Sequence, residues 1–379
     1  MGCMKIFGQF PGGRHLGDDE IKNVTDVISS RSPYRFAGFN LKHYCNKLES
    51  EMSNFVNKKH CLVVNSGTAA LHCALHAIGI KKGDEVIVPA YGWSADLMTI
   101  LALGATPIIA PVSSDCNLDL KRLDKCISEK TKALIVIHMR GYPCDFRDIT
   151  SKFKSLNIPI IEDCSQSFGG MIDGNSVGHF GDYATMSFQY NKLITAGEGG
   201  AVMTNDEQSH ERCVRFHNLG MDRKVGEDPT KTNDPIGPDT MVSIGLNYRM
   251  SEITASIALA QLNKIEKIIK GCKSNWHKAL QMLEPLIEEG LISQRNISNS
   301  VTPNYAFIGF KRHEKVSHKE ILKKFSELEI PFEHVNLKDA HHFEVWKHFL
   351  DKENYPYKDM SDDINNRNLD QNYFCEISS

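Results

Sequence analysis

A repeated exchange between short apolar runs and helical stretches, over residues 61–204, constrains this chain more than any other feature. The runs at 61–64, 85–88, 106–110, 133–137, 158–161, 184–188 and 201–204 are dominated by Val, Ile, Leu, Ala and Met. They lack the two-residue alternation of a strand with one wet face, so they read as strands buried on both sides. Helical segments separate most of them, among them 68–78, with Leu71, Leu75 and Ile78 on one face and Gly79 closing it, and 118–127. Strand and helix in turn imply a mainly parallel sheet covered on both faces. The link 188–201 leaves no room for a crossover helix, so the last strand is expected to run antiparallel. The fold class that follows is α/β: a three-layer, mainly parallel seven-stranded sheet with a smaller α+β C-terminal domain.

The flanks complete that outline. Residues 18–58 read as polar helices around a turn at 32–38, and 217–241 as a long Pro/Gly-rich loop of the kind that often serves function or a partner subunit. Ser251 precedes an apolar period (Ile253, Ile257, Ala260, Ile265, Ile268) and suits the N-cap of one long helix. That helix leads to a strand at 305–310 and a helix at 319–327, and the tail from residue 355 reads as loose. The expected division is 1–245 for the large domain with its N-terminal helices and 246–379 for the linking helix and small domain.

At 379 residues, with 41% hydrophobic and 24% charged side chains and a net charge of -3, the composition is that of an ordinary globular enzyme. Nothing in it attracts nucleic acid or an anionic membrane, and no apolar run is long enough to span a bilayer. The first ten residues lack a signal-peptide pattern, so a cytoplasmic location is expected. The eleven cysteines form no C-x-x-C pair and read as reduced thiols. His72/His76 and the pair His341/His342 lack a third ligand at metal spacing, so no metal site is expected.

Two polar residues stand out against the apolar strands. Asp163 closes the run 158–161 two residues on, and Lys192 follows Ser187 in the turn Gln-Tyr-Asn-Lys-Leu-Ile-Thr-Ala-Gly-Glu-Gly-Gly. A lysine in such a turn is usually solvated. An amine and a carboxylate that each lie just past a buried strand, however, can converge, and that pair is what pyridoxal phosphate (PLP) needs: a lysine for a Schiff base and an acid that keeps the pyridine nitrogen protonated. In Asn65-Ser66-Gly67-Thr68-Ala69-Ala70-Leu71 a strand turns tightly into a helix N-terminus, an anion site to which the Ser66, Thr68 and Ser187 hydroxyls can add hydrogen bonds. Trp93 offers a face for the ring.

These segments together resemble the DegT/StrS-type sugar aminotransferases, a family of fold type I PLP enzymes. The resemblance is carried in order by the Asn-Ser-Gly-Thr-Ala-Ala-Leu turn, the Pro-Ala-Tyr-Gly-Trp loop, Ile137-His138 with Gly141, Glu162-Asp163-Cys164-Ser165-Gln166, the lysine segment and Gly245-Leu246-Asn247-Tyr248-Arg249-Met250, from about residue 17 to about 337. It implies that Lys192 bonds the cofactor and shuttles a proton, Asp163 pairs with the pyridine nitrogen, Gln166 contacts the 3-hydroxyl side and Trp93 covers the ring. It also implies that Gly67, Thr68 and Ser187 hold the phosphate, and that Asn247 reaches the phosphate of a neighbouring subunit in a homodimer with shared sites. The implied reaction moves nitrogen from glutamate or glutamine to a keto sugar, either nucleotide-linked or a keto-cyclitol. A regulator or ligand sensor that kept the fold without turnover is the alternative. Departures from the family pattern fall at Gly92, Arg140 and Phe168, and after Arg367-Asn368-Leu369. Tyr34, Arg35 and the loop 217–241 are candidate acceptor contacts.

Overall fold

The structure is a computed structural model that describes residues 10–113, 115–221, 242–295, 297–313 and 315–328. The expected loop 217–241 and tail from 355 therefore lie almost wholly outside the described residues, as do His341 and His342.

Two helices open the chain, α1 (Asp18–Ser29) and α2 (Tyr44–Val56). On α2, Cys45, Leu48, Met52 and Val56 recur every three or four residues and are all buried, which fixes one face of the helix against the core. The β/α alternation follows: β1 (His60–Val64), α3 (Gly67–Ile78), β2 (Glu85–Pro89), α4 (Ser94–Ala102), β3 (Thr106–Ala110), β4 (Thr131–Ile137), α5 (Arg147–Ser155) and β5 (Ile160–Asp163). A small hairpin, β6 (Met171–Ile172) and β7 (Asn175–Ser176), precedes β8 (Tyr183–Ser187), β9 (Gly200–Thr204) and α6 (Glu207–His217). The remaining elements are α7 (Glu252–Leu262), α8 (Ile265–Glu288), β10 (Ile292–Gln294), β11 (Val301–Thr302), β12 (Phe310–Arg312) and α9 (His318–Glu327).

Seven strands form one sheet in the order β1-β9-β8-β5-β4-β2-β3. β3, β2, β4, β5 and β8 pair in parallel. β9 runs antiparallel to both β8 and β1, as the short link before it requires. Six strands thus end at the same edge, and in open α/β sheets that carboxyl edge is where ligands bind. β2, β3 and β9 are buried along their whole length. One apolar cluster joins α3 and α4 to the sheet, and another joins α2, α7 and β1, β8 and β9. A separate cluster of Leu283, Leu286, Ile292, Val316, Ile321 and Phe325 gathers α8, β10 and α9.

Three expected elements take another form. Residues 118–127 yield a 3₁₀ stretch, Leu120–Cys126, because its two buried residues, Leu123 and Cys126, are three apart and eclipse on a three-residue turn. The single helix after Ser251 breaks between Leu262 and Ile265, where Lys264 leaves helical geometry and its Nζ is tied to Glu20 and the His15 carbonyl. Ser251 does cap α7, accepting from the Thr254 amide. The strand expected at 305–310 is confined to Phe310–Arg312, since Tyr305 sits at φ 62° and the Asn304 side chain accepts from the Ala306 amide, bending the chain.

Candidate active site

The carboxyl edge of the sheet is polar where the strands are not. β1 runs out at Val64 into Asn65 and Ser66, and Ser66 caps α3 by accepting from the Ala69 amide at 3.0 Å. The first amides of a helix have no intrahelical acceptor and point outward, so the turn presents donors and the positive end of a dipole. Its closeness to β8 depends on two glycines. A Cβ on Gly67 would stand 2.8 Å from the Ser187 Cβ, and one on Gly200 would stand 2.5 Å from the Ser66 carbonyl oxygen and 2.6 Å from that of Met186. Ser66, Gly67, Thr68 and Ser187 therefore border one small cradle suited to an anion.

Asp163 is the last residue of β5 and is buried, with Oδ1 accepting from the Ser165 amide at 3.0 Å. In the loop after β8, the Lys192 backbone is pinned on both sides: its amide donates to Gln189 and its carbonyl accepts from Gly12. Burial pulls the Lys192 amine below the usual lysine range; Asp163 and Asp96 oppose that shift and Arg140 adds to it. The amine and the two carboxylates thus share one electrostatic neighbourhood. Gln166, three residues beyond Asp163, accepts from the Arg140 amide at 3.2 Å, and Arg140 in turn donates to the Tyr91 hydroxyl. Trp93 begins α4 at the same edge and is 47% exposed, so it is no core tryptophan. Asn247 is exposed, and its carbonyl accepts from Asn65 Nδ2 at 3.3 Å, beside the start of the cradle.

The expected cofactor-binding residues thus lie along this edge. Arg35 is different. Its guanidinium is buried, paired with Glu49 at 2.8 Å and donating to the Val63 carbonyl, so it braces β1 and is not available to an acceptor. Phe168 is buried against Phe55. His72 bonds the Tyr248 hydroxyl at 2.9 Å and serves packing. Behind the edge, His138, Glu162 and Cys164 stand close enough to share a cation. Both imidazole nitrogens are already committed, Nδ1 accepting from the Cys144 amide and Nε2 facing Glu162 at 2.9 Å. One residue of the edge escaped the sequence reading: Asp96, whose place in the first turn of a helix looks like ordinary dipole complementation. His138 and Glu162 were read only as parts of motifs, and their pairing beneath Asp163 came from the structure.

An acid at the end of a buried strand, an amine with its proton affinity lowered, and a glycine-opened helix N-terminus match the three demands of PLP: a partner for the ring nitrogen, a covalent anchor and a phosphate seat. The sheet order and the position of the site are those of a fold type I aminotransferase. The chain belongs to the DegT/DnrJ/EryC1/StrS aminotransferase family, whose model matches residues 15–370. It is 39% identical over 230 residues to the GDP-perosamine synthase of Escherichia coli O157:H7, a match spanning 60% of this chain and 59% of that protein. The Vibrio cholerae GDP-perosamine synthase is 35% identical over the same share of each. The matched region is thus less than two thirds of the length of these relatives. Among solved structures, an aminotransferase from Psychrobacter cryohalolentis superposes with a TM-score of 0.73 at 26% identity, over 83% of this chain and 82% of that one.

Proposed function

We propose that the protein is a PLP-dependent aminotransferase that transfers nitrogen from glutamate or glutamine to a keto sugar carried on a nucleoside diphosphate. The observation that carries this reading is the convergence of Lys192 and Asp163 beside the Ser66–Ser187 cradle. The similarity to proteins named GDP-perosamine synthase supports a nucleotide-linked acceptor over a free keto-cyclitol.

When bound, PLP supplies an electron sink that stabilises negative charge at the carbon being aminated or deaminated. The chain's own residues supply the rest. Asp163, buried at the end of β5, would pair with the ring nitrogen. The α3 N-terminus, with the hydroxyls of Ser66, Thr68 and Ser187, seats the phosphate. Trp93 and Gln166 flank the ring. Lys192 would take and return a proton at its Nζ, and the burial that lowers its proton affinity leaves more of the amine neutral and able to act as a base. Exposed apolar side chains at Phe39, Leu219, Val242, Ile244 and Leu246, the last two beside Asn247, support a homodimer with shared sites. The same reading divides the chain near residue 245 into a cofactor-binding part and a smaller C-terminal part.

Purified protein supplied with PLP is expected to be yellow, to yield PLP on the Lys192 peptide after borohydride reduction, and to lose the yellow band on adding the right amino donor. Label on another lysine would end the assignment. A band that no donor discharges would favour a PLP-holding sensor.

A further inference from the structure

Asp96 has no place in the reaction as derived so far. It lies in the first turn of α4, a mainly apolar helix, with Leu97, Ile100 and Leu101 also buried. Its side chain is 0% exposed. Neither Oδ1 nor Oδ2 has a hydrogen-bond partner among the described residues. An unpaired buried carboxylate is among the costliest groups a fold can carry.

Its neighbours point toward the cofactor pocket. Oδ2 is 3.8 Å from the place a Cβ would take on Gly92, and the Ile137 Cδ1 is 2.2 Å from that place. Gly92 therefore leaves open a space that Ile137 enters, with Asp96 at its border. Ile137 is the register partner of Asp163 across β4 and β5, so the two side chains leave the same face of the sheet. Asp96, Ile137 and Asp163 are thus contiguous. Burial first, and then Asp163, push the Asp96 carboxyl well above the usual carboxylate range, and this outweighs the relief from its own backbone amide and from Lys192. Asp163, from β5, and Lys192, from the loop after β8, are the charged groups that face it.

We propose that Asp96 is a positioning residue of the cofactor pocket, a second carboxyl that retains its proton so that Asp163 alone presents a negative charge to the ring nitrogen. The proposal rests on the PLP reading above. Two carboxylates sharing one site cannot both ionise cheaply, and a shared site commonly splits their roles into one acid and one anion. The arrangement costs stability progressively as pH rises above the unfolded carboxylate pKa, and a neutral side chain at 96 would carry no such cost.

The test compares wild type with Asp96→Asn, Asp96→Ser and Asp163→Asn. Unfolding of the apoprotein is measured by denaturant at pH 5 and pH 9, and the visible spectrum is recorded after adding PLP at both pH values. A carboxyl held above its unfolded value destabilises progressively as pH rises from that value. Asp96→Asn should therefore gain on wild type between pH 5 and pH 9, on the order of tenfold in the unfolding constant. The PLP spectra of wild type and Asp96→Asn should superimpose at pH 5 and diverge at pH 9, where a charge at position 96 would compete with Asp163. Asp96→Ser should follow Asp96→Asn, which keeps the test open if one variant folds poorly. A stability gain with superimposed spectra at both pH values would overturn the proposal, leaving a buried acid without a cofactor role. If Asp163→Asn also leaves the spectrum unchanged, the PLP reading itself fails.

Discussion

Glu162 and His138 are both fully buried beneath the site, one strand apart. Burial alone would raise the Glu162 pKa, yet the His138 hydrogen bond and the amides of Gly178 and Gly181 bring it below the usual value. Glu162→Ala would strand an imidazole N–H and two amides, and should cost about 3–5 kcal/mol in denaturant unfolding; a cost under about 1 kcal/mol would show that the pair is dispensable. Because the folded pKa is depressed, this contribution is present above the unfolded carboxylate pKa and is lost as pH falls through the folded value. A second prediction concerns Lys192. Arg140 helps to keep its amine neutral, so Arg140→Ala should raise the amine's proton affinity and move the acid limb of the activity profile to higher pH; an unmoved limb would separate Arg140 from the amine. Asp163 and Lys192 were legible in the sequence because each follows closely on an apolar run, 158–161 for the acid and 184–188 for the amine. Asp96 was not, since acids in the first turn of a helix are common and only tertiary burial makes this one unusual.

At the scale of elements, the sheet was readable because continuous apolar runs have few alternatives, whereas helix ends and strand bends depended on partners far away in sequence. Lys264 breaks the long helix through its tie to Glu20 in α1, and Asn304 bends the strand after it through contacts with Phe168 and Gln166 carbonyls near the site. Neither partner is visible locally. The cradle depends on β9 lying close to the Ser66 turn, and Gly200 permits this. Gly200→Ala would set a Cβ against two backbone carbonyl oxygens that cannot rotate away. It should cost about 1–3 kcal/mol by overpacking and weaken PLP binding by opening the cradle. A variant with unaltered PLP affinity in a direct titration would show that the phosphate seat does not depend on this contact.

For the molecule as a whole, exposed apolar surface calls for a cover. Phe39 is 90% exposed and Ile244 82%, with Leu246 and Leu219 also exposed near Asn247. Single exposed apolar residues are unremarkable, but several next to a polar cleft mark an association surface. A second copy is the occupant that the proposed shared site requires, since Asn247 is exposed and its backbone, not its side chain, is what Asn65 engages. Symmetric homodimers present one patch to itself, so one substitution acts twice at each interface. Ile244→Asp with Phe39→Asp should therefore shift sedimentation from dimer to monomer. Activity should fall with the dimer fraction, not independently of it, and should recover as protein concentration is raised. Full activity in a strictly monomeric variant would show that each chain carries a complete site, and Asn247 would then have no part in it.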